Sequence, residues 1–518
     1  MKLDRTKNAK RNIIFGFLLR IYTTLVPFVI RTIMIYYVGM EYLGLSSLFS
    51  SVLQVLNLAE LGVGSAMVYS MYRPIAEDNR EQICALLKMY KTYYLLIGAI
   101  IAVIGLALIP FLPALIKGEV PSDINIYILY LLNLATTVIS YWGFAYKSSI
   151  ASAHQRRDIL NILDMVVVTV QYTVQIFVLI VYRNYYLYTL VFFLAQLLNN
   201  IGIGIVIDKV YPHYRPRGKL KNDDVKKINK RIRDLFTSKL GAVIVNSADS
   251  IVISACLGLT ALAVYQNYYF ILTTIIGFVS IVFDACTAGL GNSIVVDTKG
   301  KIFADLKVFT FIIVWIAGFC TTCFLCMYQP FMKVWAGEKY LLSFSMVICF
   351  CVYFFVYEIN QLLNTYKDAA GLWSKDKLRP LATASTNLIL NLVMVNYIGL
   401  FGILLSTILS TLFVGMPWLL HNLFTELFDK EDLAPYVRGL FRDAVVVAIG
   451  CLFTLLVCVC IPLDGVALII ARAAVCCVIP NAWYLVCFRG RNEFRHALHL
   501  MDVMLNGKVC KLLKRDAL

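Results

Sequence analysis

The sequence predicts an all-α polytopic membrane protein of about fourteen transmembrane helices, and three observations predict it. Hydrophobic residues make up 60% of the 518 positions and charged residues 15%, too apolar a balance for a soluble chain of this length. Apolar stretches recur fourteen times, each reaching or approaching the ~20 residues a helix needs to cross a bilayer. Forty of the 47 Lys and Arg residues lie in or beside alternate connections and the two ends, against four (Lys117, Arg183, Lys333, Lys339) in the opposite connections. Positive charge marks the inner side, so both termini are expected in the cytoplasm. The net charge of +16 then follows from topology and attraction to anionic headgroups. It calls for no nucleic-acid partner.

The stretches fall near 13–38, 44–72, 89–112, 125–146, 159–182, 187–207, 237–257, 259–293, 305–328, 342–366, 380–398, 400–422, 443–461 and 465–488. The basic start (Lys2, Arg5, Lys7, Lys10, Arg11) precedes a run too long for a signal-peptide core, so the first helix is expected to remain as an anchor. That helix carries Arg20 and Arg31, eleven residues apart and therefore on one face, with Thr24 and Pro27 beside them. The two charges lie about 16 Å apart along the axis. An arginine near mid-membrane costs roughly 3 kcal/mol on insertion scales, so a shared polar stripe predicts a wet interior rather than lipid. The second stretch ends in Leu58-Ala-Glu-Leu-Gly-Val-Gly-Ser-Ala66, with Glu60 deep in an apolar run. The eighth repeats the theme with Asp284, Gly289, Gly291, Asn292 and Ser293.

A shift of 218 residues carries Arg31 onto Asp249, and a shift of 219 carries Arg20 onto Lys239 and Gly39 onto Gly258. Lys239, Asn246, Asp249 and Ser250 share one face of the seventh helix. The expected organisation is an N-terminal six-helix bundle (1–207), a cytoplasmic linker (208–236), a second six-helix bundle (237–422), an additional helix pair (423–488) and a basic tail (489–518). Two halves of the same orientation make a parallel pseudo-repeat. In the linker Val225, Ile228, Ile232 and Leu235 recur at helical spacing among basic residues, the pattern of an interfacial amphipathic helix. Phe494, Leu498, Met501 and Leu505 give the tail a weaker version.

Catalytic patterns are sparse. No glycine-rich loop ends in Gly-Lys-Ser/Thr, and no His-Glu-x-x-His occurs. His496 and His499 lack further ligand types. Cys320, Cys323 and Cys326 form a ladder on one helix that reads as packing, and no structural disulfide, metal site or cofactor is expected. What recurs instead is polar chemistry inside the stretches: Asp164, Gln171 and Gln175 on the fifth, Gln266 and Asn267 on the eighth, and Glu358, Gln361 and Thr365 on the tenth. Together they predict a polar cavity with both signs of charge. Arg20, Arg31, Lys239 and Arg472 are its candidate cations for an anionic headgroup such as a diphosphate. Glu60, Asp164, Gln171, Gln175, Asn246, Asp249, Asp284, Glu358 and Gln361 are candidates for lining it or for coupling to H+ or Na+. Arg472 has an alternative role, paired with a neighbour.

The run Gly39-Met-Glu-Tyr-Leu-Gly-Leu-Ser-Ser-Leu-Phe-Ser-Ser51, then Leu58 to Ala66, then Tyr72-Arg-Pro-Ile-Ala-Glu77 resembles the bacterial polysaccharide repeat-unit flippases (Wzx type). These belong to the multidrug/oligosaccharidyl-lipid/polysaccharide exporter superfamily. The detailed resemblance covers roughly the first 90 residues. It implies two helical bundles around a cavity in the bacterial inner membrane and alternating access. It also implies undecaprenyl-diphosphate-linked oligosaccharide as substrate, ion exchange as driving force, and arginines at the diphosphate. Membrane lipids, a polysaccharide polymerase and a chain-length regulator are the implied partners, in lipopolysaccharide, capsule or exopolysaccharide assembly. The rivals are a multidrug antiporter of the same superfamily, a membrane enzyme acting on lipid-linked sugars, and a non-transporting assembly scaffold.

Overall fold

A computed structural model describes the backbone of residues 5–118 and 120–504; side chains are described for these except 5–20, 238, 239, 242, 246, 282, 284–289, 295, 374 and 500–504. The chain forms two compact units, Met1–Ala263 and Val264–Leu518. The first holds α1 (Arg5–Tyr37), α2 (Met40–Leu56), α3 (Val63–Ala76), α4 (Arg80–Ala107), α5 (Ile126–Tyr141), α6 (Ser148–Ala153), α7 (Arg157–Val181), α8 (Tyr185–Val210) and α9 (Asn222–Leu257). The boundary falls within α10 (Leu259–Val296). The second continues with α11 (Lys299–Trp335), α12 (Phe344–Ala369), α13 (Trp373–Asp376), α14 (Arg379–Ser410), α15 (Met416–Glu426), α16 (Leu433–Val459), α17 (Gly465–Phe488) and α18 (Asn492–Met504).

Among the described residues, ten helices are long and apolar enough to cross a membrane, or eleven if the bent pair Ile126–Tyr141 and Ala145–Ala153 is one span. That is fewer than the fourteen expected. Ile21–Tyr37 and Val243–Leu257 are described apolar parts of the longer helices α1 and α9. The segment Arg379–Glu426 passes as one span, although its backbone leaves the helix at Ile398 and Gly399, the latter at φ +57°. This is the break expected between 380–398 and 400–422.

Local rules set the ends. Asn79, Asn125 and Asn184 cap α4, α5 and α8, accepting from Gln82 N at 3.1 Å, Tyr127 N at 3.0 Å and Leu187 N at 3.0 Å; such a cap contributes about 1 kcal/mol. Gly39 and Gly258, paired by the 219-residue shift, both sit at positive φ (+129° and +93°) between consecutive helices. Within the first unit α1 packs on α7, α7 on α8, α8 on α5, and α2 on α9. α7 shows how each helix is oriented. Val166, Val170, Val174, Phe177 and Val181 form an exposed apolar stripe, while Gln171 and Gln175 are buried. A helix with its amides inward and its valines outward is built for lipid on one side.

The amphipathic run of the linker is not a helix of its own: α9 continues unbroken for 36 residues from Asn222. Its first turns pack on α3 and its neighbours. A Cβ on Gly62 would lie 2.6 Å from the Leu235 Cβ, Tyr93 donates to Asn229 Oδ1 at 2.7 Å, and the Arg231 guanidinium sits 3.9 Å from the Tyr69 ring centroid. In the second unit α11 is the central post, packed by α12, α16, α17 and α18. Phe494 of α18 stacks on Trp315 of α11, with centroids 6.0 Å apart; Leu505 lies outside the described residues.

Candidate functional site

In the first unit the polar faces of α1, α7 and α8 meet. Arg31 is half-buried and within electrostatic reach of Tyr188. Gln175, 1% exposed, donates from Nε2 to the Tyr188 carbonyl at 3.3 Å and accepts on Oε1 from Gln171 Nε2 at 3.3 Å. Tyr22 of α1 faces Tyr172 of α7, with ring centroids 6.2 Å apart. The structure thus joins two residues marked in the sequence, Gln171 and Gln175, to Tyr188, which lies within electrostatic reach of a third, Arg31, and adds three tyrosines that were not marked. A guanidinium within reach of a tyrosine, in the apolar part of α1, is suited to an anion that can accept several donors. Asp164 on the same helix is engaged differently, accepting from Asn199 Nδ2 at 3.1 Å.

A second polar group forms where the second stretch breaks. Asn57–Glu60 winds as a 3-10 turn, and Gly62 at φ +87° starts α3. Tyr94 donates to Glu60 Oε1 at 3.4 Å, and Tyr90 donates to the Tyr94 hydroxyl. Tyr141 donates to Asn57 Oδ1 at 3.2 Å. A Cβ on Gly64 would lie 3.0 Å from Glu60 Oε1 and 3.1 Å from the Tyr90 hydroxyl, so glycine makes the room. A carboxylate ending a chain of hydroxyls is equipped to exchange a proton or hold a cation. The i, i+4 spacing of Tyr90 and Tyr94 was a signal available in the sequence. Asp249 is buried on α9, two residues from Ser247, which donates to Gln54 Oε1 at 3.4 Å.

The second unit holds Glu358, 1% exposed on α12, with neither carboxylate oxygen hydrogen-bonded among the described residues and Cys320 of α11 within electrostatic reach. Gln361, one turn on, is half-buried, its carbonyl accepting from Thr365 at 2.9 Å. Arg472 donates from Nη1 to the Cys326 carbonyl at 2.9 Å. An apolar cavity of about 680 Å³ runs between α12, the helix turn before α15, and α16, lined among others by Ile348, Phe355, Leu412, Met416, Phe441 and Leu455. Another, of about 520 Å³ at the start of α16, is lined by Lys307, Arg438, Arg442 and Arg491 around Asp443. There Arg491 Nη1 lies 2.6 Å from Asp443 Oδ1. The side chains of Arg20, Lys239, Asn246 and Asp284 lie outside the described residues.

Ion pairs fasten the helix ends. Lys147 meets Asp208 at 2.6 Å, Arg156 meets Asp158 at 2.9 Å, and Arg379 grips Asp376 through Nε and Nη2, both at 2.7 Å. Asn422 also donates to Asp376, at 3.0 Å. His154 packs against Tyr211 and Tyr214 (centroids 4.6 and 5.5 Å) with Nδ1 2.9 Å from the Ile150 carbonyl.

The profile of the family described as "Polysaccharide biosynthesis protein" matches residues 9–286. No curated protein sequence matches. Among solved structures the fold is similar to the lipid II flippase MurJ in an inward closed conformation. The TM-score is 0.62 at 13% identity, covering 92% of this chain and 99% of that one. It is also similar to an inward-facing multidrug resistance MATE family transporter of the MOP superfamily (TM-score 0.61, 15% identity, 78% of this chain and 97% of that one). A mutant of the Vibrio cholerae MATE transporter VcmN matches with TM-score 0.57 at 14% identity, over 81% of this chain and 98% of that one. These likenesses are of fold, and the neighbours are transporters rather than enzymes. With a family profile spanning more than half its residues, the chain belongs to the polysaccharide biosynthesis protein family, and its multi-pass helical fold is similar to those of MurJ and the MATE transporters.

Proposed function

We propose that this protein is a flippase that carries undecaprenyl-diphosphate-linked oligosaccharide units across the bacterial inner membrane by alternating access, coupled to an ion gradient. The observation that carries the reading is Arg31, a cation in the apolar part of α1 within electrostatic reach of Tyr188, the residue whose carbonyl meets the buried Gln171–Gln175 amide pair of α7. A polyprenyl diphosphate needs both a donor-rich station for its head and an apolar lateral groove for its tail. The cavity of about 680 Å³ beside α16 has the chemistry of the second. The family and the likeness to a lipid II flippase support the same class of substrate. Glu358 and Glu60 are the proposed ion-coupling acids; Arg20, Lys239, Asn246, Asp249 and Asp284 belong to the same reading through the repeat.

The proposed topology has fourteen crossings. The ten long helices and the bent pair are joined by Ile21–Tyr37 and Val243–Leu257, and the break at Gly399 divides Arg379–Glu426 in two. Both termini are then cytoplasmic, as the distribution of Lys and Arg requires. Six-helix bundles over 1–207 and 237–422 belong to the same proposal, supported by Gly39 and Gly258 at junctions matched by the 219-residue shift.

The test is complementation of a flippase-deficient strain by wild type, Arg31→Lys and Arg31→Ala. The expected outcome is that Arg31→Ala accumulates lipid-linked sugar on the cytoplasmic side, with Arg31→Lys partly active because it keeps charge but loses the planar fork. Full activity of Arg31→Ala at equal expression would refute the headgroup role. The multidrug reading, favoured by the fold of the MATE neighbours, predicts instead that expression raises drug tolerance. It also predicts that Arg31→Ala, by removing a charge that repels organic cations, raises tolerance further.

A further inference from the structure

In the second unit the last two long helices meet α11 at a group of thiols. Cys326 on α11, Cys458 near the end of α16 and Cys476 on α17 are buried, and their Sγ atoms all lie within 4.8 Å of one another. Cys323, one turn before Cys326, brings its thiol against Cys476, and Met327 packs on the same group. Arg472, one turn before Cys476, is close enough to act electrostatically on both Cys458 and Cys476. Its Nη1 is spent on the Cys326 carbonyl, while its Nε is buried without a hydrogen-bond partner among the described residues.

We propose that Cys326, Cys458 and Cys476 form a binding site for a thiophilic d10 cation, Cu(I) or Zn(II), that clasps α16 and α17 to α11. Cysteine used only as a small apolar filler would not need its sulfur to meet two others from distant parts of the chain. Nor would it give a role to a guanidinium in the same apolar interface. An ion 2.3 Å from each sulfur requires sulfurs about 3.8–4.0 Å apart. The observed spacing closes to that with a shift of about an ångström or less, within the reach of rotamer adjustment. Binding releases the thiol protons and leaves thiolates. Three thiolates outweigh the charge of either ion, and Arg472 supplies the opposite charge that an apolar bundle otherwise lacks. Sulfur-only donors select soft ions over Mg2+ or Ca2+. A trigonal set suits Cu(I); Zn(II) takes four ligands, with Cys323 placed as the fourth. Leu455 both packs on the thiols and lines the large apolar cavity, so an occupied site stiffens one wall of that cavity. The site is independent of the flippase reading.

The test uses the full chain, purified in detergent under reducing, oxygen-free conditions and stripped of metal. It is titrated with Cu(I) against a chromophoric Cu(I) chelator and, separately, with Zn(II). One ion per chain is expected, with a sulfur-only first shell in X-ray absorption of the wild-type complex. Cys458→Ser and Cys476→Ser should each weaken binding by more than the ~10–100-fold that loss of an outer partner costs. Cys460→Ala and Cys477→Ala, at exposed thiols, should leave it unchanged. Cys323→Ala keeping Cu(I) while losing Zn(II) assigns the trigonal ion, and retention of both leaves the three-thiolate site intact. Absence of stoichiometric binding, an oxygen or nitrogen first shell, or undiminished affinity in both serine variants overturns the proposal. The spectrum is read on wild type, so a variant that fails to fold does not blunt the test.

Discussion

Replacing Glu358 by Met should make the protein more stable and less active at once. Glu358 is 1% exposed, and both of its carboxylate oxygens lack a hydrogen-bond partner among the described residues. A buried acceptor left unsatisfied costs about 1–3 kcal/mol, and a residue of similar volume without polar atoms removes that cost. Imperfect shape returns up to about 1.5 kcal/mol, so a net gain of about 1–2 kcal/mol is expected. The readout is thermal unfolding of the purified protein, with a melting temperature raised by a few degrees. Glu358→Gln is the companion: it keeps the shape and removes the titrating group but leaves an unpartnered amide, so stability should not rise. Both variants should lose gradient-driven flipping if the carboxylate carries the coupling ion. Stability bought at the expense of function is the signature of an acid kept for its chemistry. A lower melting temperature for Glu358→Met, or full transport by both variants, would refute the reasoning.

Three further expectations concern the scaffold. Gly44→Ala places a Cβ 2.1 Å from the Leu259 carbonyl oxygen; overpacking against backbone costs about 1–3 kcal/mol, and an unchanged melting temperature would count against that contact. Asp376→Ala leaves the buried Arg379 guanidinium without its paired carboxylate, a loss of about 3–5 kcal/mol to be measured by thermal unfolding, with Asp376→Asn milder. Burial holds the His154 imidazole below its ordinary value of 6.5. The unfolded chain therefore binds the proton first, and the stability given by the neutral ring is complete above that value and falls away below it. Hydrogen exchange over 148–158, corrected for intrinsic rate, should accelerate on acidification from about pH 7.5 to about pH 5.5. His154→Phe should abolish the dependence; a flat profile in wild type would rule out the buried ring as its source.

Much of the architecture was legible because membrane insertion imposes strong, local rules. Length and apolarity gave the spans, and the gap left between 380–398 and 400–422 falls where the backbone leaves the helix at Gly399. Inward polar faces could be read from period alone where the residues were as unlike as Val170 and Gln171. The linker was read less well. Its amphipathic period looked like an independent surface helix, but the apolar stripe of Ile232 and Leu235 meets Gly62, and nothing interrupts the helix before Leu257.

The sequence by itself determined the membrane class, the expected orientation of the ends, and the candidacy of Arg31, Gln171, Gln175 and Glu60. Only the tertiary structure decided their company: Tyr188 near Arg31, Tyr94 on Glu60, no hydrogen-bond partner for Glu358 among the described residues, and Arg472 among thiols. The physical reason is that lipid and protein interior are equally apolar. Helical period tells which face of a helix avoids water. It does not tell which face meets acyl chains and which meets another helix, and the chemistry of this protein depends on that difference.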